Sequence, residues 1–233
     1  MTYIFEPRAA CGIPINGESR QFPVGRIFCV GRSYAAHAAE MGDKLDRKAP
    51  FYFTKSPSAV VLSGSTIPYP PGTEDYQCEM ELVVAIGGEA FRIAGRDAMS
   101  VVYGYACGFD MTRRDLQLAA REQGLPWSVG KDFDQSAVLA PITKAREFGE
   151  IRDQRIRLKV NGEIRQDQKL SDLIWSIPEF IAHLSGYYRL QPGDLIYTGT
   201  PAGVPRVVAG DGLEGAVDGL TPIRLAIGPA LAA

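Results

Sequence analysis

The sequence predicts a mainly β fold with short helices, an α+β chain built as one unit, and three observations carry that prediction. Short runs rich in β-branched and aromatic residues recur along its 233 residues, punctuated by Gly, Pro and Asn. The dipeptide Asn161-Gly162 joins two runs of alternating apolar residues, the strongest short hairpin signal a sequence offers. The helical patterns are brief and stop at glycines. A β-rich chain of this length can fold as a single domain. No repeat, low-complexity stretch or shift in composition marks an internal boundary. The expected organisation is an N-terminal arm over residues 1–20 and one domain over residues 21–233.

In chain order, the arm is polar and carries Pro and Gly, and residues 26–31 read as a short strand ending at glycine. Ser33 is placed to N-cap a helix over residues 34–41, stopped by Gly42. His37 and Glu40 share a face of that helix. A histidine held by a carboxylate is a common way to poise a general base near neutral pH, and a surface ion pair is the other reading of the same spacing. The charged residues 43–50 that follow so short a helix suit a lid. Phe51–Lys55 and residues 58–62 read as strands, and residues 67–72 as a turn-rich connection.

The run Tyr76–Ile86 is the one the rest of the chain is arranged around. Residues 82–86 are apolar and β-branched, hence a buried strand. Residues two apart on a strand point to one face, so Glu79 and Glu81 present their carboxylates side by side at the edge of a core. A second apolar run, residues 101–109, ends on a third acid, Asp110. Two like charges that close repel, and one takes up a proton unless a cation sits between them. Three carboxylates from two strands suit a hard divalent cation such as Mg²⁺. Two solvent-facing glutamates on an edge strand are the alternative that spacing leaves open.

Beyond Asp110, Thr112 is placed to cap a helix over residues 113–123 closed by Gly124, with Arg114 and Gln117 three apart on it. Exposed polar helix residues account for that pair equally well. In the second half, residues 157–166 form the Asn-Gly hairpin. Ser176-Ile177-Pro178-Glu179 is a capping box opening a helix through Leu184, and His183 in its last turn reads as structural. A strand over residues 195–198 runs into Gly199-Thr200-Pro201, a tight bend whose hydroxyl and N–H groups could hold an anion.

Other signals exclude function classes. A net charge of −2 offers no basic surface for nucleic acid. No apolar run approaches the ~20 residues of a membrane span and the start is no signal peptide, so a cytoplasmic location is expected. Cys11, Cys29, Cys78 and Cys107 are widely spaced without C-x-x-C, as buried free thiols in a reducing compartment would be. With only two histidines, the usual zinc sites cannot be assembled. Residues 124–131 miss phosphate-loop spacing by one, with Asp132 where Ser or Thr belongs. The G-x-G-x-x-G at residues 210–215 has too short a tail for a dinucleotide fold.

Taken as an ordered set across residues 26–225, the landmarks resemble the fumarylacetoacetate hydrolase family. They are Val30-Gly31-Arg32-Ser33-Tyr34 with His37 and Glu40, Glu79-Met80-Glu81, and Asp110-Met111-Thr112 with Arg114, Asp115 and Gln117. Gly130-Lys131, Val160-Asn161-Gly162-Glu163 with Arg165-Gln166, Pro192-Gly193-Asp194 and Gly199-Thr200-Pro201 complete them. In length and detail the chain is most similar to the short bacterial members that cleave acylpyruvates.

The resemblance implies a β-roll catalytic domain, a homodimer, and a divalent metal on Glu79, Glu81 and Asp110, Mg²⁺ ahead of Mn²⁺ or Ca²⁺. It makes His37 and Glu40 the water-activating pair on a closing lid and has Lys131 stabilise developing negative charge. It assigns Arg114, Gln117, Gln166 and Thr200 to substrate oxygens. The implied reaction is hydrolysis of a C–C bond in a 2,4-dioxo acid, to pyruvate and a carboxylic acid. Among acylpyruvates it points first to fumarylpyruvate from gentisate breakdown. Oxaloacetate decarboxylation and isomerisation of 2-hydroxyhepta-2,4-diene-1,7-dioate share the enolate chemistry and stand as alternatives. A non-catalytic metal-binding protein is a remote third. The expected partner is a small dioxo acid, with neither nucleic acid nor membrane. Ser33 stands where relatives usually carry asparagine. Arg113 stands where a smaller or acidic residue is usual, and is expected to alter the pocket rim.

Overall fold

The computed structural model describes residues 2–6, 9–42 and 47–231. Strands β1 (Gly12–Pro14) and β2 (Gln21–Pro23) form a small hairpin, followed by β3 (Ile27–Gly31), α1 (Ala35–Glu40), β4 (Phe51–Lys55), β5 (Val60–Leu62) and β6 (Ser65–Pro68). The long strands β7 (Tyr76–Ile86) and β8 (Val102–Arg113) lead into α2 (Arg114–Glu122) and α3 (Ser128–Lys131). Then come β9 (Ala137–Leu139), β10 (Thr143–Lys144), α4 (Ala145–Phe148), β11 (Arg155–Val160) and β12 (Glu163–Lys169). The chain closes with α5 (Ile177–Ser185), β13 (Leu195–Tyr197), β14 (Gly212–Val217) and β15 (Ile223–Gly228).

An eight-stranded sheet runs β4-β3-β13-β7-β8-β9-β5 with β10 beside β8, and a five-stranded sheet runs β12-β11-β14-β15-β6. At the centre of the larger sheet, β7 and β8 pair antiparallel from Tyr76 opposite Arg113 to Ala85 opposite Gly104. Alternation sorts the side chains of this ribbon. Met80, Leu82 and Val84, with Cys107, Phe109 and Met111, join Ile156, Leu158 and Leu225 of the smaller sheet and Phe180 and Leu184 of α5 in the main core. Val83, Ala85 and Ala106 face a second cluster with Ile27, Cys29, Leu195 and Tyr197, which also takes Ile13, Ile15 and Phe22 from the N-terminal segment. Both faces are buried, which is why these strands read as continuous apolar runs. Glu79 and Glu81 are in phase with Val83 and Ala85, so the acids stand on the second face, beyond the end of its apolar lining.

The expected arm is partly built into the fold: Ile13 is fully buried and β1 pairs with β2. Asn161 and Gly162 turn β11 into β12 with φ of 52° and 84°, the two positive values a type I′ turn needs. The capping box forms, with the Ser176 N–H donating to Glu179 Oε2 at 2.7 Å.

Three boundaries differ from expectation. Tyr34 is extended, at φ −118° and ψ 131°, and bridges Leu173, so α1 starts one residue late. Ser33 therefore caps nothing, and its hydroxyl donates to the Val30 carbonyl at 3.3 Å. Thr112 is no cap either, because β8 continues to Arg113, which pairs with Tyr76. A 3-10 turn over Pro57–Ala59 delays the next strand to Val60.

Candidate active site

The register of the central ribbon sets Glu79 directly opposite Asp110, with Glu81 opposite Gly108. One carboxylate oxygen each from Glu79, Glu81 and Asp110 lies within 4.8 Å of the others. Glu79 is 5% exposed and Glu81 2%, so the solvent-facing alternative falls. Like charges held opposite one another in a sheet destabilise it unless they are neutralised. Lys131 Nζ does part of this, donating to Glu79 Oε2 at 2.7 Å, Asp110 Oδ2 at 2.8 Å and Thr112 Oγ1 at 2.7 Å. Lys55 Nζ lies 2.8 Å from the other Asp110 oxygen and donates to the Met111 and Lys131 carbonyls. Arg114 closes the far side of Glu79 through Nη2, with Nε on Gln77 Oε1 at 2.7 Å and Nη1 on Gln117 Oε1.

This balance leaves one carboxylate short. Burial raises Glu79, but Lys131, Arg114 and His37 outweigh it and hold the carboxyl well below the usual range. Burial, then the Asp110 and Glu79 charges, push Glu81 well above that range. Among the described residues no cationic side chain pairs with Glu81, whose Oε2 accepts the Gly199 N–H at 2.6 Å. A buried carboxylate in that position holds a proton or meets a cation. An all-oxygen donor set with surplus negative charge fits a hard divalent ion.

The bend after β13 supplies the N–H on Glu81. Gly199 has φ 91°, and a Cβ there would stand 2.5 Å from Ser33 Oγ, so only glycine turns here. The anion held by the Gly199-Thr200-Pro201 bend is thus the protein's own carboxylate. Thr200 Oγ1 donates to the Met80 carbonyl at 2.8 Å and accepts from Gln166 Nε2 at 2.9 Å. Gln166 Oε1 in turn accepts the Met80 N–H at 3.1 Å. From α1, His37 Nδ1 lies 3.1 Å from Glu40 Oε2, and both Glu40 oxygens accept the Gly203 N–H at 3.2 Å. That pairing leaves Nε2 for the pocket. At Gly130 a Cβ would lie 2.7 Å from Gln117 N, so α2 and α3 touch at the backbone and bring Gln117 and Lys131 to one wall.

A cavity of about 30 Å³ is lined by His37, Glu79, Glu81, Arg114, Gln117, Lys131 and Thr200. Glu40 supports His37 from behind, Asp110 lies under the two lysines, and Gln166 stands behind Thr200. Arg114 and Gln117 are buried, not exposed helix residues. His183 lies elsewhere, with Nδ1 3.1 Å from the Tyr52 hydroxyl. Arg113 sets its guanidinium 4.2 Å over the Phe133 ring and does not line the cavity, against expectation. Of the expected lid, residues 43–46 lie outside the described residues, and Arg47 pairs with Glu179 at 3.1 Å. Sequence reasoning missed Lys55, Gln77 and the Thr112 hydroxyl as parts of the site. Lys55 was findable in principle, since it shares a strand face with Phe51 and Phe53, whereas nothing local marks Gln77.

A family model described as fumarylacetoacetate (FAA) hydrolase C-terminal matches residues 26–227. The chain belongs to the fumarylacetoacetate hydrolase family. Within that family, a fumarylpyruvate hydrolase of Ralstonia sp. is 51% identical over 193 residues, covering 82% of this chain and 100% of that one. The crystal structure of fumarylpyruvate hydrolase from Pseudomonas aeruginosa in complex with Mn²⁺ and pyruvate is similar at a TM-score of 0.95 and 44% identity, covering 98% of this chain and 100% of that one. The mitochondrial oxaloacetate tautomerase of Rattus norvegicus is more distant, 37% identical over 201 residues, covering 86% of this chain and 90% of its own. The mainly β, single-domain fold is the one seen in the Pseudomonas aeruginosa structure.

Proposed function

We propose that this protein is a metal-dependent hydrolase that cleaves fumarylpyruvate, or a close 2,4-dioxo acid, to pyruvate and a carboxylic acid. The observation that carries the reading is Glu81, a buried carboxylate that among the described residues forms no ion pair, beside Glu79 and Asp110, which do, in the pocket that also holds His37. The activity and bound species named for the Ralstonia and Pseudomonas relatives support the same substrate class. When bound by Glu79, Glu81 and Asp110, a divalent ion would supply Lewis acidity toward the substrate's oxygens. The all-carboxylate donor set favours Mg²⁺, with Mn²⁺ or Ca²⁺ as substitutes.

The chain's own residues do the rest. Glu40 holds His37 at Nδ1, so Nε2 takes a proton from water. The water oxygen bonds to the C4 carbonyl carbon. The C3–C4 bond breaks, its electron pair goes to C3, and a proton delivered there makes the methyl group of pyruvate while the acyl fragment leaves as a carboxylic acid. The three Lys131 donors are taken by Glu79, Asp110 and Thr112, so its charge acts on the developing enolate through its near field. Arg114, Gln117 and Thr200 line the wall where substrate oxygens would lie, and Gln166 keeps Thr200 in place. A positioned His37–Glu40 pair favours hydrolysis over oxaloacetate decarboxylation, which needs no activated water.

The same reading takes residues 21–233 as the catalytic domain behind an arm over 1–20, and the assembly as the homodimer that the family resemblance implies. It places the enzyme in aromatic-compound breakdown at the gentisate branch. The compartment is the cytoplasm, where the buried thiols of Cys29, Cys78 and Cys107 stay reduced. Among the described residues no helix is long and apolar enough to cross a membrane. Parallel assays of fumarylpyruvate, acetylpyruvate and oxaloacetate, with Mg²⁺ and with chelator, test the proposal. Metal-dependent conversion of fumarylpyruvate to equal amounts of pyruvate and fumarate is expected. Full turnover by a metal-stripped sample, or activity on oxaloacetate alone, would sink it.

A further inference from the structure

Behind the acidic pocket stand two side chains that the mechanism above does not use. Gln77 Oε1 accepts from Arg114 Nε at 2.7 Å, and Gln77 Nε2 donates to both Asp75 oxygens, at 3.1 and 3.3 Å. Neither residue lines the pocket. Resting on the hydrolase reading above, we propose that Gln77 is a positioning residue: Asp75 turns its amide, and the amide fixes the plane in which Arg114 meets the substrate.

The chemistry of the three groups allows one arrangement. A carboxylate only accepts and a guanidinium only donates, so an amide between them must turn Nε2 to Asp75 and Oε1 to Arg114. Without Asp75 the amide could present either end, and its NH₂ end would repel the guanidinium. Alternation puts Gln77 on the face of β7 that carries Glu79 and Glu81. Its backbone is held on both edges, opposite Thr112 of β8 and in a bridge with Arg206. Asp75 is held as well, because its carbonyl accepts the Arg114 N–H at 2.8 Å. Asp115, a landmark of the sequence without a role so far, ties the same loop to the first turn of α2. Its Oδ1 accepts from the Thr73 hydroxyl at 2.5 Å and its Oδ2 from the Glu74 N–H at 2.9 Å. The Asp75 side chain and the base of Arg114 therefore move as one unit.

Arg114 needs that support because its outer nitrogens have divided work. Nη2 donates to Glu79 and Nη1 to Gln117, both in the pocket wall. A guanidinium is planar, so a hydrogen bond at Nε sets the direction of both outer nitrogens at once. With Nε released, the fork turns on its long stem and loses its aim at the substrate, while the three acids stay where the β7–β8 register puts them. Arg114 also shares the charge of Glu79 with any bound ion, so loosening it does not weaken metal binding. Metal affinity and substrate affinity then part company. A general loosening of the ribbon would lower both together.

Calorimetry on the parent and on Gln77→Met tests this, first with Mg²⁺ and then with pyruvate added to the Mg²⁺-loaded protein. The variant should bind Mg²⁺ within about twofold of the parent or more tightly, and pyruvate about tenfold more weakly, the lower end of what a lost outer partner costs. In turnover, KM for fumarylpyruvate should rise by more than kcat falls. Asp75→Ala spares the strand and gives a second reading, with pyruvate weakened by about threefold or more and Mg²⁺ unmoved. The double variant Asp75→Asn/Gln77→Glu exchanges carboxylate and amide at unchanged net charge and rebuilds the same run of donor and acceptor. Its pyruvate affinity should return to within about threefold of the parent, a non-additive recovery that only coupled residues show. Equal weakening of Mg²⁺ and pyruvate, or a double variant as poor as Gln77→Met, overturns the proposal. Unmoved pyruvate affinity in Gln77→Met and Asp75→Ala overturns the positioning role and leaves the hydrolysis standing. The expected affinity pattern in a protein that hydrolyses no dioxo acid upholds the role and overturns the reaction instead.

Discussion

Asp110 is fully buried between two ammonium groups, Lys55 on one carboxylate oxygen and Lys131 on the other. Removing one partner of a buried pair leaves an uncompensated charge, so Lys55→Met should cost about 3–5 kcal/mol in urea-induced unfolding. Glu81 has the opposite character. Burial and the Asp110 and Glu79 charges disfavour its ionised form and outweigh Lys131, so it serves the site at the expense of the fold. Glu81→Gln should therefore melt at the same or a higher temperature in chelator, yet show no Mg²⁺ binding by calorimetry and no turnover. His37 is not one of the three carboxylates. His37→Ala should bind Mg²⁺ as the parent does while kcat falls by roughly 10²–10⁴-fold, the contribution of one positioned base. At this scale the three acids were readable because a two-residue period puts Glu79 and Glu81 on one face. Their burial was not readable, because it comes from Lys131, Arg114 and the Gly199 bend arriving from remote parts of the chain.

The elements legible in the sequence are those whose reasons are local. The β7–β8 ribbon follows from uninterrupted apolar alternation, and the β11–β12 hairpin follows from Asn161-Gly162. That turn makes its own prediction. Gly162 sits at φ 84°, so Gly162→Ala should destabilise the protein by about 1–2 kcal/mol in thermal or denaturant unfolding, with activity intact. The misplaced boundaries have tertiary causes. Ser33 looks like a cap, but Tyr34 is drawn into a bridge with Leu173 and moves the start of α1. Thr112 looks like another, but pairing of Arg113 with Tyr76 extends the strand and frees the hydroxyl to accept from Lys131. A capping box such as Ser176 with Glu179 forms as read because both of its partners lie within one turn.

In the whole molecule the acidic site ties the central ribbon to the bend after β13 and to α3, so an ion bound there stabilises the native state and not the unfolded chain. At Mg²⁺ concentrations 100 times the dissociation constant, unfolding free energy should rise by about 2.7 kcal/mol and return to its starting value in chelator. Calorimetric melts of the parent protein and of Glu81→Gln check this, the variant showing no shift. By itself the sequence determined the β-rich class, the central strand pair, the hairpin, and the ordered motifs that mark the family, because alternation, turn chemistry and residue spacing are properties of neighbours. Only the tertiary structure decided that Lys55 belongs to the site, that Gln166 supports Thr200 from behind, and that Arg113 turns away to Phe133. Burial and pairing depend on which distant segment packs against a residue, and no local pattern encodes that.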